Sequence, residues 1–186
     1  MNLYFDLETG GLISSKHGII AIGWVLETAA HTVIGSGLIE MNPYEYAEVD
    51  PTAFQYNHYD KKQCKTFQHP ELALAQFVRE VRTLTKGTRV NLIGYNSDAF
   101  DIPMLKRLFA KYDRASWNKL FTYKSIDIFK TVLWLYDNQL LKATDSHKLV
   151  DVCRGYGIDL DAHDALRDTL ATRELSMKLV GSIRNG

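Results

Sequence analysis

The sequence has few cysteines and no excess of charge of either sign. Its two cysteines, Cys64 and Cys153, lie far apart in the 186 residues and show none of the paired spacings of a disulfide framework or a cysteine zinc site. Lysine plus arginine number 22, as do aspartate plus glutamate, so no overall positive field would attract long stretches of nucleic acid. Any contact with nucleic acid must therefore be local, and a reducing, cytoplasmic location is expected.

Long apolar runs and several enzyme motifs are also missing. No apolar run approaches the length of about 18 residues that indicates a membrane-spanning helix. The N-terminus reaches Asp6 without the basic and apolar regions of a secretory signal. We therefore expect no membrane partner. The phosphate-binding loop G-x-x-x-x-G-K-[ST], the hydrolase motif G-x-S-x-G and the deaminase pair of H-x-E with C-x-x-C are absent as well.

The apolar pattern that is present predicts one α/β domain over residues 1–186. Leu3 to Leu7 alternates with the period of a strand, and two further β-rich runs, 18–28 and 31–41, follow it closely. These three strands predict an antiparallel meander, after which strand and helix patterns alternate as in βα units. The helical segments are 71–84, 102–112, 146–157 and 164–180, and the strand-like segments are 89–96 and 125–129.

Asp6 and Glu8 stand near the end of the first strand, just before Gly10 and Gly11. Side chains two residues apart on a strand point to one face about 7 Å apart, so the two carboxylates converge. Like charges this close raise each other's pKa unless a cation lies between them, and a hard divalent cation prefers oxygen ligands. An acidic pair at a strand end can equally face solvent, so a metal site requires more carboxylates.

The last helical segment supplies one. Positions 165, 168, 172, 175 and 179 share a helix face on which Asp168 is the single charge. Charged side chains are rarely buried without a partner or a metal, so Asp168 is expected to face such a site, unless it reaches water at the edge of the face. His163 precedes this helix, where a neutral imidazole could take a proton from water or have a surface role, and Asp164 is the favoured N-cap.

The segment GYNSDAFDIPML places two more carboxylates after a strand and at the start of a helix, where ligands bind in open α/β sheets. Asp101 shares helical spacing with Leu105 and Leu108. Asp98 shares it with Ile102 and Leu105, so spacing alone leaves both aspartates open as the inward residue. Asp98 is better placed as the helix cap.

Taken together, these segments resemble the motifs of a known family. FDLETGG with Asp6 and Glu8, GYNSDAFD ending in Asp101, and HDALRDT with His163 and Asp168 are similar, in order, to the three motifs of the DEDDh (DnaQ-like) 3′-to-5′ exonucleases. This superfamily includes the proofreading epsilon subunit of DNA polymerase. The resemblance extends to about residue 172. The second motif has one residue more than the family pattern N-x-x-F-D, and we assign the aspartate that follows the phenylalanine.

The resemblance implies a fold, an activity and a set of site residues. The implied fold is an RNase H-like, five-stranded mixed sheet, three antiparallel strands followed by two parallel ones, flanked by helices. The implied activity is hydrolytic removal of nucleoside 5′-monophosphates from 3′ ends, with two Mg²⁺ or Mn²⁺ ions and a histidine as general base. The implied metal ligands are Asp6, Glu8, Asp101 and Asp168, and the implied base is His163.

Four further residues are expected near this site. In the family, residues just after the glutamate of the first motif hold the terminal nucleotide, which points to the backbone of Thr9 and to Leu12 as an apolar wedge. A leucine after a glycine turn is by default a core residue. Phe100, beside the second motif, could stack on an unpaired base. Asp127 resembles a supporting acidic position between the second and third motifs, and it could equally cap the helix after it.

The motifs leave the substrate open. DNA and RNA differ at such a site mainly by the 2′-hydroxyl, and no residue in the sequence decides between them. We expect the 3′ end of single-stranded DNA, with RNA ends or short oligoribonucleotides as the alternative. A non-catalytic subunit that uses the same fold for binding is a further alternative, but its expected mark, a damaged acidic set, is absent. A polymerase or another replication or repair partner, and the oligomeric state, stay open.

Overall fold

A five-stranded mixed sheet forms the centre of the protein, in a computed structural model that describes residues 1–141, 144–161 and 163–185. The strands are β1 (Asn2–Thr9), β2 (Ile19–Glu27), β3 (Val33–Glu40), β4 (Val90–Gly94) and β5 (Phe121–Asp127). Their order in the sheet is β3-β2-β1-β4-β5. β2 pairs antiparallel with β1 and β3, and β4 pairs parallel with β1 and β5. This confirms the predicted RNase H-like α/β sheet.

Seven α-helices flank the sheet in the described part of the chain. They are α1 (Lys61–Cys64), α2 (Pro70–Thr85), α3 (Asp101–Tyr112), α4 (Arg114–Leu120), α5 (Ile128–Asp137), α6 (Leu149–Gly155) and α7 (Ala165–Asn185). Two short 3-10 helices, Pro43–Glu45 and Pro51–Gln55, lie between β3 and α1. The sequence pattern predicted α2, α3, α6 and α7, and it left open a helix after Asp127, which is α5; it predicted neither α1 nor α4. None of the described helices is long and apolar enough to cross a lipid bilayer.

Apolar side chains cover both faces of the sheet. One buried cluster joins the sheet to α2, α3 and α4, and another joins it to α5, α6 and α7. The central strand β1 contributes to both, because Leu3, Phe5 and Leu7 face the first cluster and Tyr4 faces the second. The same alternation puts Asp6 and Glu8 on the face that α7 covers. The central strand therefore presents its two carboxylates to the last helix.

Polar contacts from the middle of α7 fix this helix to the sheet. The Arg173 Nε donates a hydrogen bond to Glu27 Oε2 at 2.9 Å, and Asn2 Nδ2 donates to Glu27 Oε1 at 3.2 Å. Glu27 is fully buried, and a buried carboxylate requires such partners. The hydroxyls of Tyr4 and Ser176 lie 2.8 Å apart, one turn further along the helix. These contacts hold the helix that carries Asp168 in a fixed position over β1 and β2.

Candidate active site

Three carboxylates meet at the C-terminal end of β1. Asp6, Glu8 and Asp168 each offer an oxygen, and these oxygens all lie within 4.8 Å of one another. The first two come from one face of β1 and the third from the first turn of α7. Asp101, in the first turn of α3, lines the same cleft. The structure therefore brings together all four carboxylates that the motifs single out.

A glycine in β2 allows α7 to approach this closely. Gly23 pairs with Asp6 in the sheet, and a Cβ atom built on Gly23 would lie 2.2 Å from the backbone of Ala165, the first residue of α7. Such a distance is far below van der Waals contact, so only glycine fits here. The Thr169 hydroxyl donates to the carbonyls of Gly23 and Ala165, at 3.2 and 2.7 Å. The helix start, and with it Asp168, is thereby placed beside Asp6.

The structure separates the two aspartates of the second motif. Asp101 is buried and lines the cleft. The carboxylate of Asp98 instead accepts hydrogen bonds from Ser125 Oγ at 2.7 Å and Lys130 Nζ at 2.8 Å. The prediction that Asp98 caps the helix is wrong: Phe100 occupies the N-cap of α3 and makes no side-chain cap bond. The ion pair with Lys130 on α5 draws Asp98 away from the helix start.

Asp127 organises the loop that carries the second motif. Its carboxylate caps α5 by accepting from the Phe129 N–H at 3.0 Å. The same carboxylate accepts from the N–H groups of Asn96 at 2.8 Å and Asp98 at 3.2 Å. Asp127 is buried and lies outside the residues that line the cleft. Both expectations for this residue, helix cap and support behind the motif, describe contacts that it makes.

His163 lies in the turn just before α7. Its backbone has a φ of +76°, a conformation in which histidine is less rare than bulkier residues. Its N–H donates to Asp168 Oδ2 at 3.1 Å, while the exposed imidazole lines the cleft. Asp164 accepts from the Arg167 N–H at 2.9 Å, as expected of the N-cap. The turn therefore fixes the backbone of His163 to a carboxylate of the cluster and leaves its ring accessible.

Burial and mutual repulsion favour protons on these carboxylates. Burial, followed by the charges of Asp101, Asp168 and Glu8, raises the pKa of Asp6 well above its ordinary range. Burial and the nearby Asp168 raise the pKa of Glu8 to about 8. Burial raises the pKa of Asp101 to about 7 and that of Asp168 to about 6, the latter against the opposing hydrogen bond from His163. A cation would relieve both the burial cost and the repulsion.

One oxygen of the cluster lacks a hydrogen-bond donor in the described part of the chain, as a metal-ligating oxygen would in the absence of its ion. Asp168 Oδ1 is buried and has no hydrogen-bond partner among the described residues. Burying a carboxylate oxygen without a hydrogen-bond donor costs free energy. Hard divalent ions prefer oxygen ligands such as this one. The acidic cluster could therefore bind a metal.

The cleft around the cluster has a volume of about 670 Å³. Thr9 lines it and is buried, with its hydroxyl donating to the Gly11 carbonyl at 3.1 Å. Leu12 also lines the cleft and is 83% exposed, so the default expectation of a core leucine is wrong at this position. Phe100 is half-buried, packing on the core while lining the cleft. All three residues expected to contact a nucleotide lie at the cleft.

Sequence reasoning missed several residues of the cleft wall, among them Ile13, His17 and Asn57. Ile13 is 53% exposed beside Leu12, His17 is buried, and Asn57 donates from Nδ2 to the Thr9 carbonyl at 3.3 Å. They belong to connections without periodic patterns, whose geometry depends on tertiary contacts. The glycines that bracket the first connection, 10–11 and 18, were the available signal of a tightly folded loop.

A second cleft, of about 610 Å³, continues from the first. It extends between Phe129 on α5 and the segment 146–150 before and at the start of α6. The two clefts share the residues Tyr56, Tyr95, Asn96, His163 and Asp168. Because Asp168 lines both clefts, the carboxylate cluster lies where they meet.

Comparisons of structure point to one kind of fold. E. coli exonuclease I in complex with a dT13 oligonucleotide has a TM-score of 0.80 and 18% sequence identity, over 98% of this chain and 41% of that chain. The same enzyme with a 5cy-dA13 oligonucleotide gives 0.77 and 19%, over 97% and 40%. An ExoI/SSB-Ct complex gives 0.78 and 18%, over 97% and 41%. At these identities the likeness concerns the fold, and the chain spans about two fifths of the exonuclease I chains that it matches.

Comparisons of sequence give the family. No curated protein matches the chain. The model of the family RNase_T, described as exonuclease, matches residues 3–175, which include the carboxylate cluster, Asp101 and His163. The motifs and the sheet order agree with that match, and the chain therefore belongs to the RNase_T exonuclease family.

Proposed function

We propose that the protein is a metal-dependent 3′-to-5′ exonuclease that removes nucleoside 5′-monophosphates from single-stranded DNA, with residues 1–186 forming one exonuclease domain. The observation that carries this proposal is the approach of Asp6, Glu8 and Asp168 to within 4.8 Å of one another. Asp101 and His163 line the same cleft. The family match over residues 3–175 supports the proposed activity.

The proposed metal ligands are Asp6, Glu8, Asp101 and Asp168, which would hold two Mg²⁺ or Mn²⁺ ions. When bound, such ions supply Lewis-acid polarisation of the phosphate and compensate the charge that develops during hydrolysis. The support from this chain is the unpartnered Oδ1 of Asp168 and the raised pKa values of the cluster. The ligands come from β1, α3 and α7, so folding assembles the site.

His163 is the proposed general base. Its imidazole lines the cleft and is exposed to water, so it can take a proton from the attacking water. The water oxygen forms a bond to phosphorus as the bond between phosphorus and the 3′ oxygen breaks. The leaving 3′ oxygen takes a proton from solvent, so the products are a 5′-monophosphate and a new 3′-hydroxyl. The hydrogen bond from the His163 N–H to Asp168 keeps the base next to the carboxylates.

The terminal nucleotide is proposed to lie between the backbone of Thr9, the side chain of Leu12 and the ring of Phe100. Exposed apolar groups at the mouth of a cleft of this size suit a base, and aromatic rings stack on bases without sequence preference. The second cleft would take the nucleotides that precede the scissile bond. Single-stranded DNA is favoured because E. coli exonuclease I, which has this fold, binds dT13 and 5cy-dA13 oligonucleotides.

We further propose a replication or repair protein, with a polymerase among the candidates, as the partner class. The support is the likeness of the fold to a chain in an ExoI/SSB-Ct complex. The present chain covers 41% of that chain. Because the net charge is zero, the chain has no overall positive field to hold long DNA, and we expect it to bind only a few nucleotides. A partner would then supply any processivity.

The test of the substrate uses DNA and RNA oligonucleotides of one sequence, single-stranded and labelled at the 5′ end, incubated with the protein and Mg²⁺. We expect a ladder that shortens from the 3′ end, nucleoside 5′-monophosphates by chromatography, and faster loss of DNA than of RNA. Faster loss of RNA would assign the protein as an exoribonuclease. Binding without cleavage of either polymer would assign it as a non-catalytic subunit.

A further inference from the structure

The connection between β1 and β2 presents two exposed aliphatic side chains to the cleft. Leu12 is 83% exposed and Ile13 is 53% exposed, and both line the cleft above the carboxylates. Adjacent exposed aliphatic residues on a loop favour a binding role over a packing role. An apolar surface of this kind positions a nucleotide only if the loop itself holds one conformation.

A buried imidazole holds this loop from the inside. His17 Nδ1 accepts a hydrogen bond from the Ile13 N–H at 3.1 Å, and the His17 N–H donates to the Ile13 carbonyl at 2.8 Å. His17 is 6% exposed. Because Nδ1 accepts from a backbone donor, the proton of the neutral ring is on Nε2. The imidazole and the backbone N–H of His17 thereby pair with the N–H and the carbonyl of Ile13.

The loop is shaped to accept this ring. Gly11 has a φ of +145°, and a Cβ atom built on it would lie 2.2 Å from His17 Nδ1. The imidazole therefore packs directly on the backbone of Gly11, where any other residue would displace it. The Gly10 N–H donates to the Gly18 carbonyl at 2.7 Å and closes the loop around the ring.

The same histidine is tied to the helix that begins with Asp101. The Arg107 guanidinium of α3 donates to the His17 carbonyl and lies over the Tyr46 ring, 5.8 Å from its centroid. The Tyr46 hydroxyl accepts from the Ile19 N–H at 2.5 Å. The chain is thus held on both sides of Gly18, so that His17 connects the loop at the cleft mouth to a rigid part of the fold.

We propose that His17 is a positioning residue for the terminal nucleotide: it fixes, through the Ile13 backbone, the place of Leu12 and Ile13 over the carboxylate cluster. This inference rests on the proposed function, since it assigns a role in holding the substrate of that site. His17 acts on affinity for the 3′ end and leaves the chemistry at the carboxylates unchanged.

The test compares two substitutions of His17 that differ in the acceptor. His17→Asn places a carbonyl oxygen near the position of Nδ1 and keeps the hydrogen bond from Ile13, whereas His17→Leu has similar bulk and no acceptor. We expect His17→Leu to raise the KM for a single-stranded oligonucleotide about tenfold, as expected for loss of one hydrogen bond that orders the loop, with kcat changed by less than about twofold. We expect His17→Asn to restore most of the wild-type KM.

A double-mutant cycle shows whether His17 acts through the loop. Leu12→Ala alone should raise KM, and His17→Leu added to it should raise KM by clearly less than tenfold, because the more exposed of the two side chains that His17 positions is already lost. Three results would each overturn the inference. The first is a double variant whose KM rises by the product of the two single effects. The others are an unchanged KM in Leu12→Ala, and equal rises in KM in His17→Leu and His17→Asn. The Tm of each variant shows whether the fold is retained.

The Kd for a fluorescent oligonucleotide, measured in EDTA, separates this inference from the proposed function. The affinities follow the same order as KM if His17 positions the nucleotide, even in a protein that binds without cleaving. If the protein does not cleave the oligonucleotide but the affinities follow the predicted order, only the exonuclease proposal is contradicted. Normal cleavage with an unchanged affinity in His17→Leu would contradict the role of His17 alone.

Discussion

Asp168 has opposite requirements with and without a bound cation. One of its oxygens accepts from the His163 N–H at 3.1 Å, and the other is buried without a donor among the described residues. Burial raises its pKa to about 6, which favours a proton where a cation is lacking. A divalent ion would replace that proton and satisfy the free oxygen. Such a residue is more useful to a metal site than to the stability of the fold.

The two aspartates of the second motif provide a matched pair of variants. Asp101→Asn removes a charge from the cleft and should lower the kcat on single-stranded DNA by about a hundredfold or more, the effect expected of a lost metal ligand. Asp98→Asn removes a charge three residues away that pairs with Lys130 and should change kcat by less than about threefold. Equal losses in steady-state assays of the two variants would contradict the assignment of Asp101.

Replacement of the proposed base should slow hydrolysis and spare metal binding. His163→Ala removes the imidazole but keeps the backbone N–H that donates to Asp168. We expect kcat to fall by about 10²- to 10⁴-fold, the Mn²⁺ affinity from calorimetry to stay near that of the wild type, and added imidazole to restore part of the rate. An unchanged rate and pH profile would show that His163 is not the base.

At the scale of elements, the site depends on how closely α7 packs on β2. The contact between Gly23 and Ala165 leaves no space for a side chain, and it brings a helix start to the strand that carries Asp6 and Glu8. The contacts of Glu27 with Arg173 and Asn2 hold the same helix further along. The position of Asp168 is therefore a property of helix docking.

Gly23→Ala should disturb both stability and metal binding. Its methyl group would lie 2.2 Å from the Ala165 backbone, and overpacking of this kind costs about 1–3 kcal/mol, or roughly 3–9 °C in Tm for a chain of this size. The displaced helix start should also weaken Mn²⁺ binding in calorimetry. Gly181→Ala, on α7 itself, is the control, because a Cβ there meets no described residue within 4 Å. Normal Mn²⁺ affinity in Gly23→Ala would contradict this account of how α7 is positioned.

Periodic elements were predictable from the sequence, and the carboxylates on them were found for that reason. Asp6 and Glu8 follow the two-residue period of β1, and Asp168 follows the helical stripe of α7. Spacing could not separate Asp98 from Asp101, because the deciding contact is with Lys130, which lies on another helix. The exposure of Leu12 had no local signal either, since its loop is held by tertiary and loop contacts such as the hydrogen bond from the Ile13 N–H to His17 Nδ1.

At the scale of the whole molecule, the cluster couples stability to pH. The pKa values of Asp168, Asp101 and Glu8, about 6, 7 and 8, lie above the ordinary values near 4. The folded state therefore binds more protons than the unfolded state between about pH 4 and pH 8, so the free energy of unfolding falls as pH rises through this range. Each pKa unit corresponds to about 1.4 kcal/mol.

We therefore expect the Tm in EDTA to fall by several degrees between pH 5 and pH 8. Mg²⁺ or Mn²⁺ should raise the Tm more at pH 8 than at pH 5, because ions bind the deprotonated carboxylates. Asp6→Asn, which lowers the repulsion in the cluster, should show a shallower fall in EDTA. Calorimetric scans that give a level or rising Tm over this range in EDTA would contradict the account of the cluster.

The role of the carboxylates at the end of β1 is tested by the release of the 3′-terminal nucleotide from a single-stranded DNA oligonucleotide as a function of Mg²⁺ concentration. We expect a rate that saturates with Mg²⁺, that vanishes in EDTA, and that falls by about a hundredfold or more in Asp6→Asn. Release that persists in EDTA, or that proceeds in Asp6→Asn at the wild-type rate, would show that the carboxylates at the end of β1 are not the centre of the reaction.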